Sequence, residues 1–134
     1  MFLLETIAIG RDPLQFCEGS TLFSQGEDAE AIYFIQRGKV QLTTVSPQGM
    51  KAVLATKGSL DFLGEECLLG NSRRISTAII LEPSSVFGLG KNAMLQVLHD
   101  HPGMAEQFVI SLLERSVKLE ERLCNQLFNQ RFAF

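Results

Sequence analysis

Gly58-Ser59-Leu60-Asp61-Phe62-Leu63-Gly64-Glu65-Glu66-Cys67-Leu68-Leu69-Gly70-Asn71-Ser72-Arg73-Arg74-Ile75-Ser76-Thr77-Ala78 is the stretch on which the reading of this chain turns. Gly64 and Glu65 open a short segment of helical appearance, an arginine pair follows, and a β-prone run begins at Ile75. The first N–H groups of a helix find no partner within it and carry a partial positive charge, so a turn after Gly64 suits an anion. Arg74 would add a permanent charge and a planar fork of donors. A carboxylate does not face a phosphate, so Glu65 suits a sugar hydroxyl as acceptor. An anion and a sugar on one small molecule describe a cyclic nucleotide. On the residues alone, Glu65 and Arg74 read equally as a structural ion pair on a solvated loop. Arg73 is a second candidate for the anion, though its spacing from Gly64 favours Arg74, and Ser72, Ser76 and Thr77 are either hydroxyl donors to a ligand or strand-surface residues.

Outward from this stretch, short apolar or β-branched runs alternate with glycine and turn residues. Leu14 to Cys17, Thr21 to Phe23, Ala31 to Gln36, Lys39 to Val45 and Met50 to Thr56 read as strands on the N-terminal side, Ile75 to Leu81 and Val86 to Leu89 on the other. Arg37-Gly38 and Ser46-Pro47-Gln48-Gly49 read as hairpin connections, and Pro83-Ser84-Ser85 as a break between two strands. Many short strands with little helix between them predict a sandwich or roll over residues 14–90.

At Lys91 the period changes. Asn92 suits the cap of a short helix over 91–101, which Pro102-Gly103 ends. A longer helix is expected over 104–128. Along it Ala105, Val109, Leu112, Ser116, Leu119, Leu123 and Gln126 step alternately by four and three, the seam of a two-helix contact. Phe108, Leu113 and Val117 form a second stripe, suited to lying back on the roll. The seam predicts a homodimer with its interface at Val109, Leu112, Ser116, Leu119 and Leu123; the alternative is an amphipathic helix packing within its own monomer.

Gly64-Glu65, Arg74 and Thr77-Ala78, in that order and spacing, resemble the phosphate-binding cassette of cyclic-nucleotide-binding domains. With Ile35-Gln36-Arg37-Gly38-Lys39-Val40, Gly49 and Asp61-Phe62-Leu63-Gly64-Glu65, the chain resembles the sensor half of the Crp/Fnr superfamily of transcription regulators over roughly residues 14–128. The resemblance implies a mainly β fold with C-terminal helices: a double-stranded β-helix, or jelly-roll-like β-roll, followed by a long dimerisation helix, all in one domain. It implies a small-molecule effector such as cAMP or another cyclic nucleotide, ligand residues Gly64, Glu65, Cys67, Arg74, Ile75, Ser76 and Thr77, and a signal relayed through the dimer helix. It places DNA contact in a further C-terminal domain, which is not expected within these residues. Three positions depart from the family pattern. Glu66 stands where cyclic-nucleotide binders carry an apolar residue, Ile75 where relatives place a small or hydroxyl side chain, and Leu60 where a glycine is common. These departures keep a second reading open, a ligand-blind dimerisation module that retains the roll.

The bulk properties exclude several classes. The chain has 134 residues, 46% hydrophobic and 20% charged, with a net charge of −3 and a pI of about 5.4, ordinary for a globular protein and without a nucleic-acid footprint. Its longest apolar runs fall short of the ~20 residues of a membrane span. Glu5 interrupts residues 1–9 and no basic flank precedes them, so no signal peptide and a cytoplasmic location are expected. Cys17, Cys67 and Cys124 show no C-x-x-C spacing and are expected as buried, reduced thiols, not metal or cluster ligands. His99-Asp100-His101 with Glu106 matches the His-x-His-x4-Glu pattern of metal-binding cupins. Those ligands converge from strands, whereas these flank Pro102-Gly103 in helical surroundings, so no metal site is expected. No G-x-S-x-G elbow, P-loop or arguable Cys/His/Asp arrangement is present, and no catalytic residues are expected.

Overall fold

The computed structural model describes residues 2–132. A short helix, α1 (Phe2–Ala8), precedes six strands: β1 (Leu14–Phe16), β2 (Thr21–Phe23), β3 (Ala31–Val45), β4 (Lys51–Lys57), β5 (Phe62–Leu63) and β6 (Thr77–Gly90). A 3-10 turn over Glu65–Leu69 lies between β5 and β6, and two helices follow, α2 (Lys91–Asp100) and α3 (Pro102–Phe132). All strands pair antiparallel, in the order β1-β6-β3-β4, with β2 also on β6 and β5 on β3. This is the mainly β architecture with C-terminal helices that the sequence predicts. The chain divides into two compact units at Val97/Leu98. Among the described residues no helix is long and apolar enough to cross a membrane.

In the first unit, alternating side chains of the two long strands turn inward. Phe23, Ile35, Val40, Leu63, Ala78, Ile80 and Val86 form its buried cluster, flanked by Phe16, Leu22, Tyr33 and Leu42. α1, where no helix was expected, buries Leu3 and Ile7 and lies against β3.

Two expected breaks are absent. Arg37-Gly38 does not reverse the chain, and Pro83-Ser84-Ser85 does not split a strand: β3 and β6 run on as partners through both. The register explains why. Arg37 pairs with Ser85 and Lys39 with Glu82, so a single residue on β3, Gly38, faces two on β6. The extra residue is a β-bulge, a place that tolerates a proline without an N–H to give. Ser84 is buried there, its hydroxyl donating to the Glu82 carbonyl at 2.7 Å.

The Ser46–Gly49 connection does form a hairpin between β3 and β4, with Ser46 N–H on the Met50 carbonyl and Gly49 N–H on the Ser46 carbonyl. β5, two residues long and therefore without a readable period, pairs Tyr33 with Leu63 and Phe34 with Phe62. Ahead of it, Leu60 takes a φ of 77°, the left-handed conformation a glycine would adopt without strain. The loop holds it there: Leu60 N–H donates to the Ile35 carbonyl, and Asp61 caps the Gly58 N–H at 2.9 Å.

In the second unit α3 exceeds its expected span at both ends, and 31 residues extend it to about 46 Å. Of the second stripe, Phe108 is buried, as is Met104, whereas Leu113 and Val117 are exposed. Val109, Leu119 and Leu123 of the expected seam are exposed, as is Ser116, and Leu112 is half-buried. The expectation of three buried thiols is also corrected: Cys67 is buried, but Cys17 and Cys124 lie on the surface.

Candidate functional site

Gly64 ends β5 with a φ of 80°, and this left-handed turn throws the chain into the 3-10 turn. The Cys67 N–H donates back to the Gly64 carbonyl at 3.2 Å, and the Gly70 N–H to the Cys67 carbonyl at 3.2 Å. The turn lies against β3 and brings Glu66 and Cys67 to the place where Arg74 returns. A second backbone clamp fixes that return: Arg74 N–H donates to the Glu27 carbonyl and its carbonyl accepts from Gly26 N–H, both at 2.8 Å, while Ala29 N–H donates to the Ser72 carbonyl.

Of the two arginines, Arg73 faces outward, its Nη1 on the Gly26 carbonyl and 3.4 Å from the Asp28 carboxylate. Arg74 turns inward, with its side chain 2% exposed. Its Nη2 donates to the Ala31 carbonyl at 2.7 Å; its Nη1 donates to the Gly64 carbonyl and to Glu66 Oε2, both at 3.1 Å. The guanidinium carbon lies 4.1 Å from the centre of the Phe23 ring and 5.9 Å from that of Tyr33, within the range of cation–π attraction. Nε, also buried, has no partner among the described residues. A buried N–H without an acceptor costs about 1–3 kcal/mol, so this edge of the guanidinium is suited to taking one.

The glycine is required by the arginine. A Cβ on Gly64 would sit 2.7 Å from Arg74 Nη1 and 3.0 Å from the Ala31 carbonyl oxygen, besides having to adopt the left-handed φ. The ten-residue spacing between Gly64 and Arg74 thus reflects a direct contact.

Cys67 is buried beside this cluster; burial pushes its thiol above the usual range, against the downward pull of the Arg74 guanidinium. Burial likewise raises the Tyr33 phenol, again opposed by Arg74. The fold therefore gathers Gly64, Glu66, Cys67 and Arg74. Ile75 is not part of the group: its side chain is 70% exposed, and its carbonyl accepts from Thr44 Oγ1. Ser76 is buried, and Thr77 Oγ1 accepts the Gln25 N–H at 2.9 Å, bracing the start of β6. Phe23, Tyr33 and the Ala31 carbonyl, which complete the arginine's surroundings, escaped the sequence reading, because no periodicity within β2 or β3 marks the residue that meets a loop far along the chain.

Comparison with known proteins follows the same outline. Residues 13–101 match the cyclic nucleotide-binding domain. The chain is 27% identical over 116 residues to a CRP-like cAMP-activated global transcriptional regulator of Mycobacterium tuberculosis, covering 87% of this chain and 52% of the regulator. Its fold is similar to that of the Thermus thermophilus catabolite activator protein, with a TM-score of 0.80 at 23% identity over 91% of this chain and 57% of that one. It is also similar to the N-terminal domain of a transcriptional regulator from Streptomyces coelicolor, with a TM-score of 0.68 at 25% identity over 87% of this chain and 84% of that one. The chain spans about half the length of the mycobacterial regulator.

Proposed function

Since this chain belongs to the cyclic nucleotide-binding domain family, as a sensor domain of the Crp/Fnr type, we propose that it binds a small anionic effector of the cyclic-nucleotide class, such as cAMP, at Arg74 and relays that binding through a dimer of α3. The observation that carries this reading is the buried guanidinium with a spare Nε–H at the Gly64–Cys67 turn. A phosphate oxygen at that edge would satisfy the orphaned donor and face a permanent charge held in place by two carbonyls. Glu65, at the first position of the turn, is in this reading the acceptor for a ribose hydroxyl. Gly64 and the main chain of Cys67 shape the wall.

Titration with cyclic AMP, cyclic GMP and linear mononucleotides, followed by thermal unfolding, tests it. A ligand at a hundred times its dissociation constant stabilises the fold by about 2.7 kcal/mol, and at least one cyclic nucleotide is expected to do so. A second reading, a ligand-blind dimerisation module, is favoured by the Glu66 carboxylate already seated on Arg74; no shift with any nucleotide would favour it further.

The relay requires a second copy. Val109, Leu112, Ser116, Leu119 and Leu123 recur at the three-and-four spacing of a coiled-coil seam, and Val109, Leu119 and Leu123 leave large apolar side chains exposed. Pairing two such seams as a homodimer covers them. An effector that binds one arrangement of the pair more tightly shifts the population toward it. With a net charge of −3 the chain carries no basic footprint, so DNA contact in such a regulator falls to a separate domain. The double substitution Leu112→Glu and Leu119→Glu is expected to convert a dimer into a monomer in sedimentation velocity, with the β-rich circular dichroism unchanged; a dimer that survives both charges sinks the assignment of the seam.

A further inference from the structure

The Arg74 guanidinium is already matched to an anion from its own chain. Glu66 follows Glu65 in the 3-10 turn, and the turn aims its carboxylate inward: the side chain is 18% exposed, and Oε2 lies 3.1 Å from Nη1. The same Nη1 donates to the Gly64 carbonyl, and Nη2 to Ala31. Glu66 is the one charged partner among these contacts, held on Nη1, while the unpartnered Nε–H lies on the other side of the guanidinium, beside Nη2. The remaining two contacts are to backbone carbonyls, one directly after β5 and one at the start of β3.

We infer that Glu66 is the specificity-determining residue of this site: its carboxylate serves as a built-in anion on Arg74, and an effector binds by evicting it. This rests on the reading that Arg74 takes the effector's anionic group. The physical reason is charge balance in a poorly solvated place. A guanidinium stacked on Phe23 and shielded from water calls for one negative partner. A second anion beside the first would meet the like charge of Glu66 at close range, a repulsion that a low local dielectric magnifies. Exchange is the open route. Glu66 sits at the partly exposed rim of the turn and can swing its carboxylate into water, whereas Arg74 is locked by its carbonyls. The site therefore discriminates against weak anions, and its threshold is set by one residue that the fold does not need for packing.

Removing the charge at 66 lowers that threshold. Glu66→Gln keeps the shape and a hydrogen-bond acceptor but removes the negative charge and with it the ion pair, so affinity for an anion is expected to rise roughly 10- to 100-fold. Glu66→Asp, one methylene shorter, is expected to give a smaller rise. The probes are cyclic AMP and cyclic GMP by calorimetry, and sodium sulfate against sodium chloride at matched ionic strength by thermal unfolding, on wild type, E66Q, E66D and E66Q/R74K. A gain in E66Q that disappears in E66Q/R74K, which lacks the fork, supports the inference. If no cyclic nucleotide binds any variant but sulfate raises the melting temperature of E66Q selectively, the role of Glu66 stands and the cyclic-nucleotide reading falls. Equal responses of wild type and E66Q to both probes, or weaker binding in both E66Q and E66D, overturn it; the latter would make Glu66 a direct contact for the effector.

Discussion

Arg74→Ala is expected to lower the free energy of unfolding by about 3–5 kcal/mol, the usual cost of removing one partner of a buried ion pair. The side chain leaves three oxygen partners behind: the Ala31 carbonyl loses the Nη2 donor, the Gly64 carbonyl keeps only the Cys67 N–H, and the Glu66 carboxylate keeps its charge with its cation gone. It also empties the space over the Phe23 ring. Urea denaturation reads the effect as a lower midpoint at constant slope, since the surface exposed on unfolding hardly changes. The Glu66→Gln single variant and the E66Q/R74A double variant complete a cycle that isolates the pair. The double variant is expected to recover part of the loss, because no uncompensated carboxylate remains. A loss below about 1 kcal/mol in R74A would place the pair in the range of solvent-exposed ion pairs and contradict the buried geometry. The same substitution reports on function: if the phosphate contact is made through this guanidinium, cyclic-nucleotide affinity falls by roughly 10- to 100-fold, measured by calorimetry at a temperature where the variant stays folded.

Gly38→Ala is the other large effect, and it concerns the roll alone. Gly38 has a φ of 116°, outside the regions open to residues with a Cβ. An added Cβ would stand 2.7 Å from the Ser84 Cα, a backbone atom that cannot swing aside. Strain of this kind and overpacking each cost about 1–3 kcal/mol, so a combined loss of about 3–5 kcal/mol is expected. Thermal unfolding of G38A checks it. Gly49→Ala is an informative control: its φ is also positive, at 87°, but a Cβ there meets nothing within 4 Å, so its loss should be clearly smaller. Equal losses at the two sites would show that backbone conformation, not the contact with Ser84, dominates at Gly38.

The residues that disclosed themselves in sequence are those whose roles are local. The 46–49 hairpin follows from proline and glycine dihedrals within four residues, and the helix α3 from a period that repeats along it. The Gly64 and Arg74 spacing was legible because both lie in one loop, and their contact is made across ten residues. Leu60 shows the limit of substitution patterns. A residue other than glycine stands at a left-handed position, and the loop's own hydrogen bonds hold the conformation regardless.

What the amino-acid order determined by itself was the class of fold, the break between roll and helices near Lys91, and the pair of residues, Gly64 and Arg74, around which the candidate site is built. Tertiary structure alone decided that Arg37-Gly38 continues a strand, because that depends on the extra residue β6 places opposite. It alone decided that Arg74 meets Glu66, the Ala31 carbonyl 43 residues upstream and the rings of Phe23 and Tyr33. Periodicity reports which side of its own element a residue occupies. Which partner waits on that side is set by how distant strands are brought into register, a property of the closed sheet that no single stretch of chain contains.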